Sequence, residues 1–315
     1  MPSRPRGPMK TFAIVGAGAI GLNYGVRLAL AGSDVRFLVR GDPAPLRETG
    51  LRVVEKTGTL ELRPAAVFNR PEDIGPVDVV LVALKTTANP ELPRLLPPLV
   101  GRDTMVVTLQ NGLGNEELLA GLVGAERVLG GICFIASTRT GPGEVTCYQP
   151  GSIMLGEHAR PPAERTRALA ARFTAAGVKC RVADSLAEAR WRKLVWNVPF
   201  NGLAIAAGGI TTDRILADPA LAAEVRTLMD EVAVAAARFG HVISEEFIQG
   251  QIDVTRPMGP YQPSSLVDFL AGRAVEIEAI WGEPLRRAQA AGAAMPRLTA
   301  LYDRLQATGA RGPLG

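Results

Sequence analysis

Three side chains in the middle of the chain are spaced for chemistry. Lys193, Asn197 and Asn201 recur every fourth residue in the run RKLVWNVPFN, which starts at Arg192. That spacing stacks side chains on one face of a helix. The face would carry an ammonium and two neutral amides, framed by Trp191, Leu194, Val195 and Trp196. An ammonium donates a proton and stabilises developing negative charge. The amides orient a small polar molecule without competing for the lysine's charge. An exposed polar stripe on an otherwise buried helix would produce the same pattern, so the spacing alone leaves both readings open.

The residues near the N-terminus favour the chemical reading. Residues 12–15 form a short apolar run of strand character. Gly16, Gly18 and Gly21 follow as G-x-G-x-x-G, and a helical stretch over 19–31 ends at Gly32, a natural C-cap. A second strand-like run covers 35–39. Together these make one β-α-β unit, the context that gives the glycine fingerprint its meaning. The first glycine permits the tight turn. The second lets a pyrophosphate approach the backbone, the third lets helix and strand pack closely, and the helix N-terminus attracts the anion. The second strand ends at Val39 and Arg40, with no carboxylate to grip ribose hydroxyls. Arg40 offers charge and paired donors to a 2′-phosphate, so NADPH is expected over NADH. A solvated strand-end arginine is the plain alternative.

These residues need a scaffold, and the rest of the first half reads as one. Residues 77–84 (VDVVLVAL) are nearly all apolar, as strands buried on both faces are. Similar runs cover 104–109 and 128–134, with a helical stretch over 115–122 between them. Short strands are expected over 143–147 and 153–156, a helix over 163–176 and a closing strand over 178–182. Helical patterns then dominate, over 186–197, 219–239, 244–254 and 264–291. The expected architecture is α/β: an N-terminal Rossmann-type, doubly wound parallel sheet followed by a C-terminal all-helical domain. Residues 1–10, rich in Pro and Arg, are expected to be a disordered lead-in. The nucleotide-binding domain is expected over 11–183 and the helical substrate domain over 184–315. Lys85 and Asn111 each follow a strand of the sheet, where ligands of such folds gather. A solvent-facing lysine and ordinary Asn-Gly turn chemistry are the competing readings.

Composition removes several function classes. With 35 Lys and Arg against 31 Asp and Glu, the net charge is +4, with no dense basic tract, so nucleic-acid binding is not expected. The longest apolar region, 194–210, is broken by Asn197, Pro199, Asn201 and Gly202 and does not suit a bilayer span. Three scattered cysteines (Cys133, Cys147, Cys180) and two isolated histidines (His158, His241) argue against a zinc site or a Cys-His pair, and no metal is expected. The composition fits a reduced cytoplasmic protein. The helical domain could support a homodimer.

From residue 12 to about residue 305 the combination resembles the ketopantoate reductase (2-dehydropantoate 2-reductase) family. The resemblance rests on GAGAIG at Gly16, VR at Val39, LVALK ending at Lys85, QNGLGNEE at Gln110, WRKL…N…N at Trp191 and PSSLVDFLAGRAVEIEAIWG at Pro263. It implies hydride transfer from NADPH to the C2 carbonyl of a 2-keto acid. Lys193 would be electrophile and general acid, and Glu276 would position the lysine or the nascent hydroxyl. The implied cofactor contacts are Gly16, Ala17, Gly18, Ala19, Ile20, Gly21, Arg40, Lys85, Asn111, Ser137 and Glu276. The implied substrate contacts are Lys85, Asn111, Lys193, Asn197, Asn201 and Ser264, with Asp268 in support. Ser264 after Pro263 would equally serve as a helix N-cap. Three positions depart from the family pattern. Ile135 and Thr211 stand where a histidine and a further substrate asparagine are often found, and Pro199, between the two asparagines, is expected to kink the helix. The departures touch substrate identity more than reaction type, so another 2-keto acid stays open. A β-hydroxyacid dehydrogenase also pairs a Rossmann domain with a catalytic Lys and Asn, but leaves the block at Pro263 unexplained. An NADPH-sensing regulator would have no use for a proton donor.

Overall fold

The computed structural model describes residues 9–308. Most of the expected lead-in lies outside the described residues. Of its last two residues, Met9 packs against apolar core and the Lys10 amide donates to Asp78 Oδ2 at 2.9 Å. The chain divides into two compact units. The first runs through Gln110 and resumes over Asn115–Leu186; the second takes Asn111–Gly114 and everything from Ala187 onward.

The first unit is built on a ten-stranded sheet. Its strands are β1 (Thr11–Val15), β2 (Asp34–Leu38), β3 (Leu51–Glu55), β4 (Gly58–Leu62), β5 (Ala66–Phe68), β6 (Val77–Val82), β7 (Val100–Thr108), β8 (Val128–Gly141), β9 (Glu144–Glu157) and β10 (Lys179–Val182). The order is β4-β3-β9-β8-β7-β6-β1-β2-β5, with β10 added on β9. The helices are α1 (Ala19–Leu30), α2 (Ala44–Thr49), α3 (Leu92–Leu95), α4 (Asn115–Val123) and α5 (Glu164–Ala175). Alternation along β1 explains the double winding. Phe12 and Ile14 join one core with Leu22 and Val26 of α1 and Phe173 of α5. Ala13 and Val15 join a second core with Leu92 of α3 and Leu119 of α4. Successive strand residues face opposite ways, so both faces must be covered.

The sheet is mixed rather than wholly parallel. Pairing is parallel from β5 through β2, β1, β6 and β7 to β8, but β8–β9 and β3–β4 are antiparallel. The cause is connection length. Pro142 and Gly143, with φ +66° at the glycine, join β8 to β9 in a tight hairpin, and a tight hairpin can only reverse the chain. The two strands expected over 143–147 and 153–156 are one strand, β9. Pro150 and Gly151 read as breakers, yet the ladder passes them through a register shift opposite Phe134 and Ala136. Gly151 has φ +59°, and a Cβ there would lie 1.7 Å from the Phe134 carbonyl oxygen, so only glycine fits.

The second unit is helical: α6 (Leu186–Ala206, beginning at the last residue of the first unit), α7 (Thr212–Ala217), α8 (Pro219–Arg238), α9 (Glu245–Thr255), α10 (Ser264–Leu270), α11 (Glu283–Ala290) and α12 (Pro296–Ala307). Helix α6 runs past residue 197 and continues through Pro199. Trp281, fully buried, donates its Nε1–H to the Val198 carbonyl at 2.9 Å. Gly202 makes room for it, since a Cβ there would sit 2.9 Å from that nitrogen. The single helix expected over 264–291 is two. Helix α10 stops at Gly272 (φ +65°), with the Gly272 amide on the Phe269 carbonyl and the Arg273 amide on the Asp268 carbonyl. This is a glycine C-terminal stop. Helix resumes at Ile277 and passes through one π turn, Glu278–Gly282, into α11. Among the described residues no helix is long and apolar enough to cross a membrane.

Glu157, at the end of β9, ties the sheet to α5. Its buried carboxylate accepts from Arg165 Nε at 2.9 Å, Arg160 Nε at 3.0 Å and Thr166 Oγ1 at 2.6 Å. Burial pushes this carboxyl up, but the Arg165 and Thr166 hydrogen bonds and the arginine charge outweigh it and hold it below its usual range. A depressed carboxyl contributes stability above the unfolded value and loses it as pH falls through the folded value. Glu157→Gln is therefore expected to cost about 2–3 kcal/mol at neutral pH. Denaturant melts of both proteins should show that gap shrinking as pH falls below the ordinary value of 4.5. A gap independent of pH would contradict the assignment.

Candidate active site

Register places the ligand edge of the first unit. Leu38, Val15, Val82, Thr108 and Gly130 lie side by side at or near the carboxyl ends of β2, β1, β6, β7 and, for Gly130, early in β8. Gly16 turns the chain immediately after Val15 with φ +105°. A Cβ there would lie 2.7 Å from the Leu84 amide, so the turn rests directly on the residue before Lys85. Gly21 lies against the Gly16 carbonyl, where a Cβ would fall 2.0 Å away. Gly18 is different: nothing lies within 4 Å of the Cβ it lacks. The N-terminus of α1 has no side-chain cap and no acid in its first turn, so its amides are not satisfied by the helix's own side chains. Ala17, Ala19 and Ile20 complete the turn, and Ser137 Oγ reaches the Ala19 carbonyl at 3.4 Å. Arg40 is exposed just beyond β2, and among the described residues no carboxylate pairs with it. Open space at Gly18, bare helix amides and an exposed arginine suit a phosphate-bearing dinucleotide. Lys85 is exposed three residues past β6.

The second unit gathers the other polar residues. Lys193, Asn197 and Asn201 share one face of α6; Asn197 and Asn201 are buried and Lys193 is half-buried. Lys193 Nζ donates to Asn111 Oδ1 at 2.8 Å. Asn201 Oδ1 accepts from the Ser265 amide at 2.9 Å, satisfying the first turn of α10. The N-cap position there is Pro263 and Ser264 makes no cap hydrogen bond, so the alternative reading of Ser264 as a cap is not what forms. A buried asparagine from another helix does the capping, and the Ser264 side chain stays exposed. Asp268 is buried and pairs with Arg273 Nε at 3.0 Å, bracing the turn that ends α10. Glu276 is 4% exposed and lies in the segment between that turn and the π turn, not in helical register with Ser264.

Asn111 reaches Lys193 because its tetrapeptide docks on the π turn. Within that turn the Glu283 amide goes to the Glu278 carbonyl. The next residue, Pro284, has no N–H to offer Ala279. The Leu113 amide takes the Ala279 carbonyl at 2.9 Å instead. Gly112 allows this approach: its φ is +83°, and a Cβ would lie 2.1 Å from the same carbonyl oxygen. Leu113 is buried in the core of the second unit.

Comparison with known proteins identifies the family. Residues 12–160 match the family model described as ketopantoate reductase PanE/ApbA, and residues 185–309 match its C-terminal counterpart. The 2-dehydropantoate 2-reductase of Nostoc sp. is 39% identical over 94% of both chains. The chain belongs to the ketopantoate reductase family. That family of oxidoreductases uses NADPH. The crystal structure of 2-dehydropantoate 2-reductase from Geobacter metallireducens superposes with a TM-score of 0.92 at 44% identity, covering 95% of this chain and 99% of that one. The enzyme of the same name from Methylococcus capsulatus gives 0.87 at 34% identity, covering 94% and 96%.

Other side chains complete the picture for this member of the ketopantoate reductase family. Ile135 sits at the register shift of β8 and packs against apolar core. Thr211 precedes α7 and donates to Asp213. Burial pushes the Cys147 thiol up and the Cys180 thiol up to about 12, which disfavours thiolate chemistry. Among the described residues no group of three or more His, Cys, Asp or Glu could hold a metal. Sequence reasoning missed a run of buried or part-buried amides in the first unit, Gln110, Asn89 and Asn115. Gln110 and Asn115 stand in the block QNGLGNEE and were open to view; Asn89 lies in no motif.

Gly112→Ala should drive the tetrapeptide off the π turn, since backbone meets backbone and the positive φ is lost. A cost of roughly 2 kcal/mol or more is expected, with turnover reduced about tenfold or more. Thermal melts and steady-state rates check both. An unchanged rate would show that the docked geometry is dispensable.

Proposed function

We propose that this chain reduces ketopantoate (2-dehydropantoate) to pantoate with NADPH, a step toward pantothenate and coenzyme A. The observation that carries the reading is the 2.8 Å hydrogen bond from Lys193 Nζ to Asn111 Oδ1. It fixes an ammonium on the same helix face as two buried amides. The names of the relatives supply the substrate. On this reading the first unit carries most of the NADPH residues, and the second carries the proton donor and most of the substrate residues.

NADPH, when bound, supplies the hydride that reaches the C2 carbonyl carbon. The residues do the rest. Gly16, Ala17, Gly18, Ala19, Ile20 and Gly21 cradle the pyrophosphate with Ser137 beside them, and Arg40 takes the 2′-phosphate. Lys193 stabilises the charge that develops on the carbonyl oxygen and protonates it. Asn111 holds the ammonium by a charge-assisted hydrogen bond, stronger than a neutral one. Asn197 and Asn201 orient the substrate. Asn201 spends its oxygen on Ser265, so it offers its amide N–H groups. Ser264 binds one end of the substrate. Glu276 positions the lysine or the nascent hydroxyl and contacts cofactor, and Lys85 and Asn111 serve both ligands. Asp268 supports the α10 turn through Arg273.

The test is loss of NADPH absorbance with ketopantoate, pyruvate and 2-ketoisovalerate, each repeated with NADH. Ketopantoate with NADPH should give the highest kcat/KM, at least tenfold above any other pairing. Faster turnover of another 2-keto acid would keep the mechanism and change the substrate. No turnover despite tight NADPH binding would overturn the enzymatic reading in favour of a sensor.

A further inference from the structure

The tetrapeptide that carries Asn111 is anchored at more than its docking point. Its two flanking residues, Gln110 and Asn115, are both buried, at 4% and 2% exposure, and both bond to one side chain. Gln110 Nε2 donates to Asn89 Oδ1 at 2.7 Å, and Asn89 Nδ2 donates to Asn115 Oδ1 at 3.1 Å. Gln110 is fixed further by Thr108 at the end of β7. The Thr108 hydroxyl donates to Gln110 Oε1 at 3.0 Å and accepts the Gln110 amide at 3.2 Å. Asn89 lies in the short 3-10 helical turn Thr86–Glu91 that begins directly after Lys85. It uses both ends of its amide, one on each side of the tetrapeptide.

We propose that Asn89 is a positioning residue for the reaction: it clamps the two ends of residues 111–114 and thereby sets where Asn111 meets Lys193. The proposal rests on the reading of Lys193 as proton donor. The tetrapeptide has little freedom to absorb an error at its ends. Between them Gly112 and Gly114 hold φ of +83° and +88°, and Leu113 is bound to Ala279. A shift at Gln110 therefore passes to Asn111, the adjoining residue. A displacement of about 1 Å at a reacting group can cost on the order of a hundredfold in rate. The side-chain bonds of Asn89 go to Gln110 and Asn115, neither of which is assigned to the substrate, so its effect should fall on turnover more than on binding.

The experiment is a double-mutant cycle with Asn89→Ala, Asn111→Ala and the pair, run on the full chain with NADPH and ketopantoate. Asn89→Ala should lower kcat about tenfold and leave KM for NADPH within about twofold, with the fold kept but the melting temperature lowered, because the buried Gln110 and Asn115 amides each lose a partner. In the Asn111→Ala background it should have almost no further effect, since its action runs through Asn111. Asn89→Asp keeps the acceptor for Gln110 but loses the donor to Asn115, so it should recover only part of the lost rate. Independent, multiplying effects would overturn the proposal, as would an unchanged kcat in Asn89→Ala while Asn111→Ala is impaired. Full activity in Asn111→Ala would instead overturn the reading of the Lys193–Asn111 pair.

Discussion

A half-buried ammonium must be held by an acceptor, and the second unit is arranged to provide one. Asn111 Oδ1 accepts from the Lys193 ammonium at 2.8 Å. The acceptor comes from residues 111–114, which join the second unit although their neighbours on both sides belong to the first. Three local choices make that excursion work. Pro284 withholds an N–H from the Ala279 carbonyl, Leu113 fills the vacancy with its amide, and Gly112 has no side chain to keep the two backbones apart. The π turn follows the same logic: it frees a carbonyl for a partner outside the helix.

Neutral amides recur around the candidate site. Asn201 caps α10, Asn111 holds the lysine, and Asn89 links Gln110 to Asn115. An amide offers donor and acceptor on one rigid plane. It can therefore satisfy two backbone or side-chain partners without adding a charge near the ammonium. Charged pairs are used elsewhere. Glu157 with Arg160 and Arg165 braces the sheet against α5, and Asp268 with Arg273 braces the end of α10.

Much of this was legible in the sequence, for physical reasons. The β-α-β unit around Gly16 announced itself because each glycine answers a separate steric demand, and those demands recur in the structure at Gly16 and Gly21. The face of Lys193, Asn197 and Asn201 was legible because helical periodicity survives Pro199. Four features were not. Helix 264–291 looked continuous because Gly272 is a mild breaker inside a long apolar pattern, and its positive φ shows only in three dimensions. The parallel sheet turned mixed because the direction of β9 depends on a hairpin, while strand hydrophobicity carries no direction. The capping of α10 by Asn201 instead of Ser264 depends on a bond between residues 64 apart in the chain, a contact no local spacing encodes. The docking of Leu113 on Ala279 is illegible for the same reason.

The most direct test of the account is the single-turnover rate of Lys193→Ala with NADPH and ketopantoate, measured beside NADPH affinity and repeated with added methylammonium. If Lys193 is the proton donor, the rate should fall by about two to four orders of magnitude with NADPH affinity little changed. The small amine should restore part of the loss. A near-normal rate, or a loss explained wholly by weaker NADPH binding, would contradict the account.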